Sequence, residues 1–532
     1  MLKKLRVIVF FPPFILLLAA IVLNFVNEDM LITTFTLLNN VFMEKLGWLA
    51  TLVGFACLLL LIITAFSKFG KVTLGGKTAK PTLSTFNWFA LVLTGTIASG
   101  ILIWGFAEPV YHMMDPATAL TGIEPMSNEA ELFAMETMYM HWSFIPYALY
   151  TVPAVVFGYM LYNAKAKYSS ASQLAPMLGR ANTPLVADII DALLMFCIGV
   201  SMAACFGQGL VNLVGCSASL FGTEINNFWL LIFTIIIAII AIGSAISGVQ
   251  KGMKLCSQVN VWGYVFMFGA ILLLGPTGYI LGISTESFGG FLFHFLERAM
   301  WTGTAVDSNW PQSWTTFYWA SWMAWGPTTG IFIASVSYGR KIRDVILLTV
   351  GGCASVGIIM TSITAGATIY TQVNGIEDLV TAVNEYGIGV VPYAVLETLM
   401  GSKIIIAVIF VVIILTLVTA VNSNIIAMSG LSCKEANNKD GSDITPWYVK
   451  LAWGVVVAMM AYIAMARFGG YDGIKTLSNI GGILALFLIL GMCVSLGILI
   501  VKYKKFDVLH EDGEEDEPLP APAEAAETRT EV

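Results

Sequence analysis

The sequence is poor in charge: only 11% of its 532 residues are charged, whereas 57% are hydrophobic. With a mean hydropathy of +0.81, a soluble domain of this length is excluded. A basic face for nucleic acid is also absent, because the positive residues lie mostly in short connections between apolar runs. The net charge of −7 comes largely from an acidic tail at 502–532, which we expect to be disordered.

Cysteine and histidine are also scarce. Eight cysteines occur without a Cys-x-x-Cys pair, so nothing indicates a disulfide framework. The four histidines, including His112 and His141, are too few and too scattered along the chain to predict a metal cluster. No nucleophile motif or phosphate-binding loop stands out. We therefore expect no enzyme, no cofactor and no metal.

What the sequence does contain is a series of apolar runs, about twelve in number, each long enough to cross a bilayer. They lie at roughly 6–26, 47–66, 86–107, 139–161, 187–214, 226–247, 260–283, 313–336, 344–372, 403–430, 446–465 and 475–501. The sequence thus predicts an all-α integral membrane protein.

Lysine and arginine placement predicts the orientation. If the N-terminus is inside, the outer connections hold only Lys45, Arg298, Lys403, Arg467 and Lys475. The inner connections hold many more: Lys68, Lys71, Lys77, Lys80, Lys165, Lys167, Arg180, Lys251, Lys254, Arg340, Lys341, Arg343, Lys434 and Lys439. The positive-inside rule therefore places both termini in the cytoplasm of a multi-pass protein of the cell (inner) membrane.

Two spans contain helix-breaking residues. The third has small residues from Gly95 to Gly100, and the eighth has Gly326, Pro327 and Gly330, where we expect a kink or break. Close helix packing is the alternative explanation for such small residues. Because these spans lie five apart, they would be the first helices of two inverted five-helix repeats with a transport site between them.

This interpretation divides the chain into five regions. They are an N-terminal region with two peripheral helices at 1–85, a first repeat at 86–283, an amphipathic surface helix and connection at 284–312, a second repeat at 313–501, and the tail at 502–532.

Aromatic residues recur on one face of the fourth and eighth spans. At about 100° per residue, Trp142, Tyr147 and Tyr150 share a face, and Pro146 would free the carbonyl of Trp142. Trp319, Trp322 and Trp325 recur every three residues and could share one wall. An interfacial aromatic belt would account for Trp310 and Trp314.

Two functions suit the deeper rings: packing in a core, or a cage for a cation. A quaternary ammonium has no N–H to donate and binds to ring faces. The deep parts of these spans offer no obvious carboxylate, which a primary amine would favour. The composition therefore favours a methylated cation.

The runs His141 to Tyr150, Trp104 to Pro109, and Phe317 to Arg343 resemble the signatures of the betaine/carnitine/choline transporter family. The resemblance extends over nearly the whole chain. It implies a leucine-transporter-like fold with two inverted five-helix repeats, a homotrimer, and transport of a small quaternary amine across the lipid bilayer. The segment from Ser287 to Met300 would then be an amphipathic helix that helps to form the trimer.

By the same resemblance, Trp142, Tyr147, Tyr150 and Trp322 lie in or beside the cage, and Trp325 lies towards the cytoplasmic passage. The spacing along the eighth span adds Trp319 as a further candidate for substrate binding. The carboxylate of a zwitterion would sit against free backbone N–H groups of Ile97, Ala98, Ser99 and Gly100, whereas choline has no such group. Tyr147 and Ser321 stand where the family commonly has tryptophan, so betaine, carnitine, choline and related methylated amines all remain open.

The resemblance also bears on the driving ion. At positions where sodium-coupled members offer side-chain oxygens, this chain has Ile198, Met202 and Ala420, which favours sodium-independent transport. Exchange and proton-linked uptake both remain open, and exchange is favoured. His141 is expected to be a structural polar residue near the outer mouth, and Glu108 an interfacial cap. A channel is the rival class, although no filter-like polar ring is evident.

Overall fold

The computed structural model describes residues 4–96, 100–248, 250–435 and 444–509, without the side chains of 250–255 and 257. Within these ranges the regular structure is helical, apart from two isolated β-bridges. The predicted all-α membrane fold is therefore confirmed. The acidic tail beyond Leu509 and the predicted site residues Ile97, Ala98 and Ser99 lie outside the described residues.

The longer helices follow the predicted spans in order. They are α1 (Val7–Val26), α2 (Glu28–Phe66), α3 (Thr85–Thr96), α4 (Ile101–Met114), α5 (Asn128–Trp142), α6 (Phe144–Tyr162), α7 (Pro184–Phe221), α8 (Asn227–Ser247), α9 (Gln250–Leu274), α10 (Thr277–Ala299), α11 (Phe317–Ser335), α12 (Ile342–Val373), α13 (Ser402–Leu431), α14 (Trp447–Phe468) and α15 (Gly470–Lys502).

Among the described residues, nine helices are long and apolar enough to cross a membrane, or eleven if each of two bent pairs is one span. Helix α11 is the remaining one of the twelve predicted spans. Its tryptophans, tyrosine, glycines and threonines lower its hydropathy, and it is largely buried by its neighbours. A wider π-turn, Gln312–Thr316, precedes it.

The two bent pairs mark interruptions. Helices α3 and α4 meet at 61° across residues 97–99. Helices α9 and α10 meet at 102°, so the seventh span ends at Leu274 and the prediction of a span to 283 was wrong. Apolar residues continue beyond Leu274, but Pro276 cannot extend the helix, and the chain turns into α10.

The fourth span is interrupted at Ser143, between α5 and α6, where the backbone leaves helical geometry (φ −127°, ψ −116°). Pro146 has no N–H to donate to the carbonyl of Trp142. That carbonyl instead faces Gly357 of α12, where an added Cβ would lie 2.3 Å from it. The expectation that Pro146 perturbs this face is therefore confirmed.

The eighth span has no such break. Helix α11 continues through Gly326, Pro327 and Gly330, so the expected helix break is corrected to a continuous helix. The glycines instead permit close packing on α6: a Cβ added to Gly330 would lie 2.4 Å from the Cβ of Pro153. Helix α11 packs along both α6 and α15, and α7 packs against α15.

Candidate functional site

A central cavity lies between α4, α5, α6, α7, α11 and α15. It contains five of the residues that the sequence predicted for substrate binding. Its lining consists of Gly100, Trp104, Trp142, Tyr150, Ser201, Ala204, Cys205, Gln208, Phe317, Tyr318, Ser321, Trp322, Trp325, Ile474 and Ser478.

Trp322 is the ring at which the aromatic side of this cavity converges. Its centroid lies 4.8 Å from that of Tyr150, 5.8 Å from that of Tyr147 and 6.0 Å from that of Trp142. Trp142 meets Trp322 nearly edge to face, at 81°. We call Trp142, Tyr150 and Trp322 the ring cage. Tyr147 is fully buried behind it and packs on two of its rings without lining the cavity.

Trp319 does not belong to this wall. It is fully buried and points towards α2 and α5, where a Cβ added to Gly54 would lie 3.4 Å from its ring and His141 packs 6.1 Å away. Three residues along a helix correspond to a rotation of about 60° backwards, so the tryptophan stripe turns out of the cavity at this end. Trp325, at the other end of the stripe, is half-buried and lines the cavity.

Gly100 is where α4 begins and where a backbone approaches the cavity closely. A Cβ added there would lie 3.3 Å from the ring of Trp142 and 3.1 Å from Nε2 of Gln208. Any side chain at this position would therefore take volume from the cavity. Gly100 is the one predicted third-span residue that the described structure places.

The sequence did not predict the polar part of the cavity lining, which we call the polar wall. Ser201, Cys205 and Gln208 of α7 lie at helical spacing and line the cavity with Ser478 of α15. Ser201 Oγ and Gln208 Nε2 are buried and have no hydrogen-bond partner in the described structure. A polar stripe in the fifth span was the available signal. Buried polar groups without partners mark a place where a ligand can supply them.

The aromatic belt predicted for Trp310 and Trp314 is not observed. Both rings are buried, and the Trp310 indole donates to the carbonyl of Asp115 at 2.9 Å. Trp314 packs on His112, with 4.5 Å between ring centroids. Both rings lie in the connection before α11 and pack on His112 of α4, which removes them from the interface with lipid. Trp104 is likewise buried, at 6.3 Å from Trp314.

Glu108 is fully buried, which corrects its assignment as an interfacial cap. Its Oε1 accepts hydrogen bonds from His112 Nε2 (3.0 Å) and His141 Nδ1 (2.6 Å). Its Oε2 accepts from the Trp142 indole N–H (3.0 Å) and the Tyr318 hydroxyl. His141 is also fully buried, not at a mouth, and its Nε2 contacts Thr315 Oγ1 at 3.0 Å. We call Glu108, His112 and His141 the buried polar cluster.

The expectation of scattered histidines was therefore wrong: two of the four converge on one carboxylate, because α4 and α5 pack together. Their ligating atoms lie within 4.8 Å of one another, a separation that a metal ion could bridge. A metal-bound histidine, however, donates its second ring N–H to an acceptor. Nδ1 of His112 is buried without a partner in the described residues, so the arrangement fits hydrogen bonding better than metal ligation.

The buried carboxylate of Glu108 also corrects the expectation that no carboxylate lies deep among these spans. Glu108 lies directly behind two cavity rings, yet four donors already occupy its oxygens and it does not line the cavity. A ligand amine would have to displace one of these donors to reach it. The exposed surface of the cavity therefore offers ring faces and neutral polar groups.

Ring faces next to the cavity already hold one cation. Lys475 of α15 is buried, and its ammonium lies 4.5 Å from the ring centroid of Tyr471 and 4.7 Å from that of Trp314. Its Nζ donates to the Tyr471 hydroxyl at 2.8 Å. Aromatic rings beside the cavity thus surround one lysine side chain.

Comparison with known proteins agrees with this architecture. The model of the betaine/carnitine/choline family transporters (BCCT) matches residues 8–505. An ectoine/hydroxyectoine transporter of Virgibacillus pantothenticus is 25% identical over 86% of this chain and 89% of its own length. Glycine betaine transporter 1 of Vibrio parahaemolyticus is 26% identical over 84% of each chain. An ectoine/glycine betaine/proline transporter of Corynebacterium glutamicum is 26% identical over 84% of this chain and 72% of its own.

Among solved structures, a Na+-coupled sialic acid symporter aligns with 89% of this chain and 86% of its own, at 14% identity and a TM-score of 0.39. The family assignment rests on the sequence match, which includes every span described above. The chain belongs to the betaine/carnitine/choline transporter family.

Proposed function

We propose that this protein is a secondary transporter that moves a compact zwitterion with a methylated or quaternary ammonium group across the membrane by alternating access. One observation carries the proposal: the same cavity is lined by a ring cage and by an amide and a hydroxyl that lack partners among the described residues. The repeats at 86–283 and 313–501 would provide the two alternating arrangements.

The ring cage suits the ammonium end of such a substrate. Trp142, Tyr150 and Trp322 enclose one corner of the cavity, and each desolvated ring contributes on the order of 0.5 to 2 kcal/mol to cation binding. A methylated ammonium has little use for acceptors, and the nearby carboxylate of Glu108 is already occupied. Rings without a free carboxylate favour a quaternary ammonium over a primary amine.

The polar wall suits the carboxylate end. Gln208 Nε2 and Ser201 Oγ are donors without partners, and a substrate carboxylate would accept from both. Choline has no carboxylate and would leave them unsatisfied. The names of the relatives, which include glycine betaine, ectoine and proline transporters, also favour a zwitterion. Backbone N–H groups at 97–100 remain proposed as further donors.

We propose that transport is independent of sodium. Ile198 and Met202 are buried in α7 and offer no side-chain oxygen, and Ala420 offers none either. The hydroxyl of Thr419 donates to the carbonyl of Leu415 at 2.8 Å, within its own helix. Exchange of one zwitterion for another needs no ion and is the mode that the sequence favours.

The remaining features of the proposal concern assembly and orientation. Both termini would face the cytoplasm in the cell membrane, as the positive-inside rule predicts. A homotrimer would use α10, which exposes a row of apolar side chains: Phe288, Leu292, Phe293 and Leu296. Cross-linking in membranes, resolved by mass, would reveal three copies if this is correct.

The test is tracer counterflow in liposomes of the purified protein, with glycine betaine, ectoine, carnitine or choline preloaded inside. We expect accumulation of a labelled zwitterion that depends on the preloaded substrate and is unchanged when sodium is replaced by potassium. Absence of counterflow with every methylated amine would reject the proposed substrate class. A strict sodium requirement would reject the proposed mode.

A further inference from the structure

We propose that Glu108 and His141 form a proton-binding site, and that proton binding there and zwitterion binding in the central cavity favour each other through Trp142 and Tyr318. This inference rests on the proposed function. It adds a co-transported ion: a carrier of this kind exchanges substrate when substrate is present on both sides, and performs proton-linked net uptake when it is present on one.

The buried polar cluster lies between two cavities. A second, smaller cavity is lined by Thr137, Met140, His141, Arg298, Trp301, Trp310 and Thr315. Under the proposed topology it lies on the outer side of His141. His141 contacts Glu108, and Glu108 contacts Trp142 and Tyr318, which line the central cavity. A chain of hydrogen bonds thus connects the two cavities.

His141 can accept a proton without losing a hydrogen bond. Its Nδ1–H donates to Glu108, while the lone pair of its Nε2 faces the hydroxyl of Thr315 at 3.0 Å. A proton from water in the second cavity would bind to Nε2. The Thr315 hydroxyl then rotates and accepts from Nε2–H, because a hydroxyl serves as donor or acceptor. The imidazolium retains both hydrogen bonds.

His112 differs in this respect. Its Nε2 donates to Glu108 at 3.0 Å, but its Nδ1 has no partner in the described structure. A proton added to Nδ1 would be a buried donor without an acceptor, which costs free energy. Of the two histidines, the structure therefore assigns the proton to His141.

The charges around Glu108 also favour a proton on His141. Glu108 is fully buried, and no lysine or arginine nitrogen among the described residues lies within 4.0 Å of it. The nearest cations have acidic neighbours of their own: Arg298 of α10 is paired with Glu136 at 3.3 Å, and Lys475 of α15 interacts with Asp472 as well as with Glu108. Tyr318 and Tyr471 are the other titratable groups that face the cluster. Protonated His141 would neutralise Glu108 directly.

The direction of coupling follows from what Glu108 holds. A zwitterion would place its ammonium on Trp142, and Glu108 keeps that ring in position as an ionised acceptor. Protonated His141 donates to Glu108 and keeps it ionised. Glu108 remains an ionised acceptor, so the hydrogen bonds from Trp142 and Tyr318, which hold two cavity rings, persist. Because linkage is reciprocal, the proton and the zwitterion raise each other's affinity and move together.

The experiment measures proton movement with substrate in liposomes that contain the purified protein and internal pyranine, with the membrane potential clamped. We expect external glycine betaine or ectoine to acidify the interior. In a binding assay we expect the wild-type Kd to weaken about tenfold as the buffer changes from acidic to alkaline. Glu108→Gln and His141→Gln should lose both the proton signal and the pH dependence.

Control variants separate this role from a structural one. His112→Gln changes the same cluster and should keep the proton signal, as should His294→Gln, whose side chain lies partly exposed on α10 beside Glu136. A cooperative thermal transition of Glu108→Gln in detergent would show that this variant folds. If Glu108→Gln is unfolded, the wild-type and His141→Gln proton signals decide.

Three outcomes would overturn the inference. Wild-type substrate uptake without internal acidification would show that proton and zwitterion transport are not coupled. An undiminished proton signal in both Glu108→Gln and His141→Gln would place the proton elsewhere. Stoichiometric zinc in the purified protein, lost with His112→Gln, would make the cluster a metal site. Failure of the proposed function is distinct, since it would abolish counterflow in the wild type.

Discussion

The indole N–H of Trp142 donates to Oε2 of Glu108 at 3.0 Å, while the far edge of the same ring lies 3.3 Å from the position of a Cβ added to Gly100. One side chain therefore belongs both to the central cavity and to the buried polar cluster. It does so because the helix ends at Trp142, immediately before the interruption at Ser143. A change at this residue should affect both sites at once.

Trp142→Phe tests that double role. Phenylalanine keeps a ring in the cage but removes the donor to Glu108, so we expect zwitterion affinity to fall about tenfold, with part of the loss due to the unpaired acceptor. The pH dependence of binding should also shift, because Glu108 loses one hydrogen bond. Titration calorimetry at several pH values measures both. Unchanged pH dependence would separate the ring from the cluster.

Trp322→Ala tests the ring cage itself. Trp322 contacts three rings at 4.8 to 6.0 Å, and we expect its loss to weaken substrate binding by roughly 1 to 2 kcal/mol, or about tenfold or more. Trp319→Phe is the matched control on the same helix, because Trp319 is buried outside the cavity. It should lower the thermal midpoint without changing Kd. Equal effects on Kd would indicate that both tryptophans act by packing alone.

Gln208→Leu tests the assignment of the carboxylate end. The substitution removes a buried donor that has no protein partner, so the free protein should lose little stability. Glycine betaine should bind about tenfold more weakly, since its carboxylate loses a hydrogen bond, whereas competition by choline should stay the same or improve. Parallel competition assays with the two ligands measure this difference. A loss of the same size for both would argue against a carboxylate at Gln208.

Gly330→Ala tests the packing of α6 on α11. The added methyl group would lie 2.4 Å from Cβ of Pro153 and 2.8 Å from the backbone N of Ala154, so the helices must move apart. We expect a loss of about 1 to 3 kcal/mol in stability, seen as a lower midpoint in thermal denaturation. Gly269→Ala in α9 is the control, since nothing lies within 4 Å of its added Cβ. It should leave the midpoint unchanged or raise it.

Arg6→Ala tests how the start of the chain is fixed to α7. Arg6 Nη2 lies 2.5 Å from Asp188 Oδ1 and 2.7 Å from Oδ2 of Asp191, which is fully buried. Removal of the guanidinium leaves a buried carboxylate without its cation, at a cost of roughly 2 kcal/mol. Thermal denaturation in detergent measures it. Asp191→Asn in the Arg6→Ala background removes the unpaired buried charge. This second substitution should therefore restore part of the lost thermal midpoint.

The sequence alone was sufficient for the helices and for part of the aromatic side. Apolar length predicted the spans, and the local periodicity at Tyr147, Tyr150 and Trp322 selected rings that the structure brings together. It failed at Trp319, because the stripe rotates out of the cavity along α11. It also failed at the end of the seventh span, where apolar residues continue past the turn at Pro276.

The polar wall and the buried cluster could not be predicted in the same way. Gln208 faces the cavity because α7 packs against α15, and Glu108 meets His141 because α4 packs against α5. Residues 33 positions apart in the chain share no local pattern. Trp310 and Trp314 were misplaced for a related reason, since their packing on His112 of α4 leaves no signal in the composition of the segment around them.

The close contact of Gly330 with Pro153 has a mechanical consequence. At Gly330 no side chain separates the backbone of α11 from Pro153 of α6. Gly326 makes a similar close contact with the carbonyl of Leu149. Because this contact is tightly packed, sliding of α6 along α11 would cost much packing free energy. Two rings of the ring cage, Tyr150 and Trp322, lie on α6 and α11, so they should move together as one rigid unit. If the proposed transport is correct, opening to either side of the membrane would require other helices to move past this unit, while the distance between the two rings stays constant.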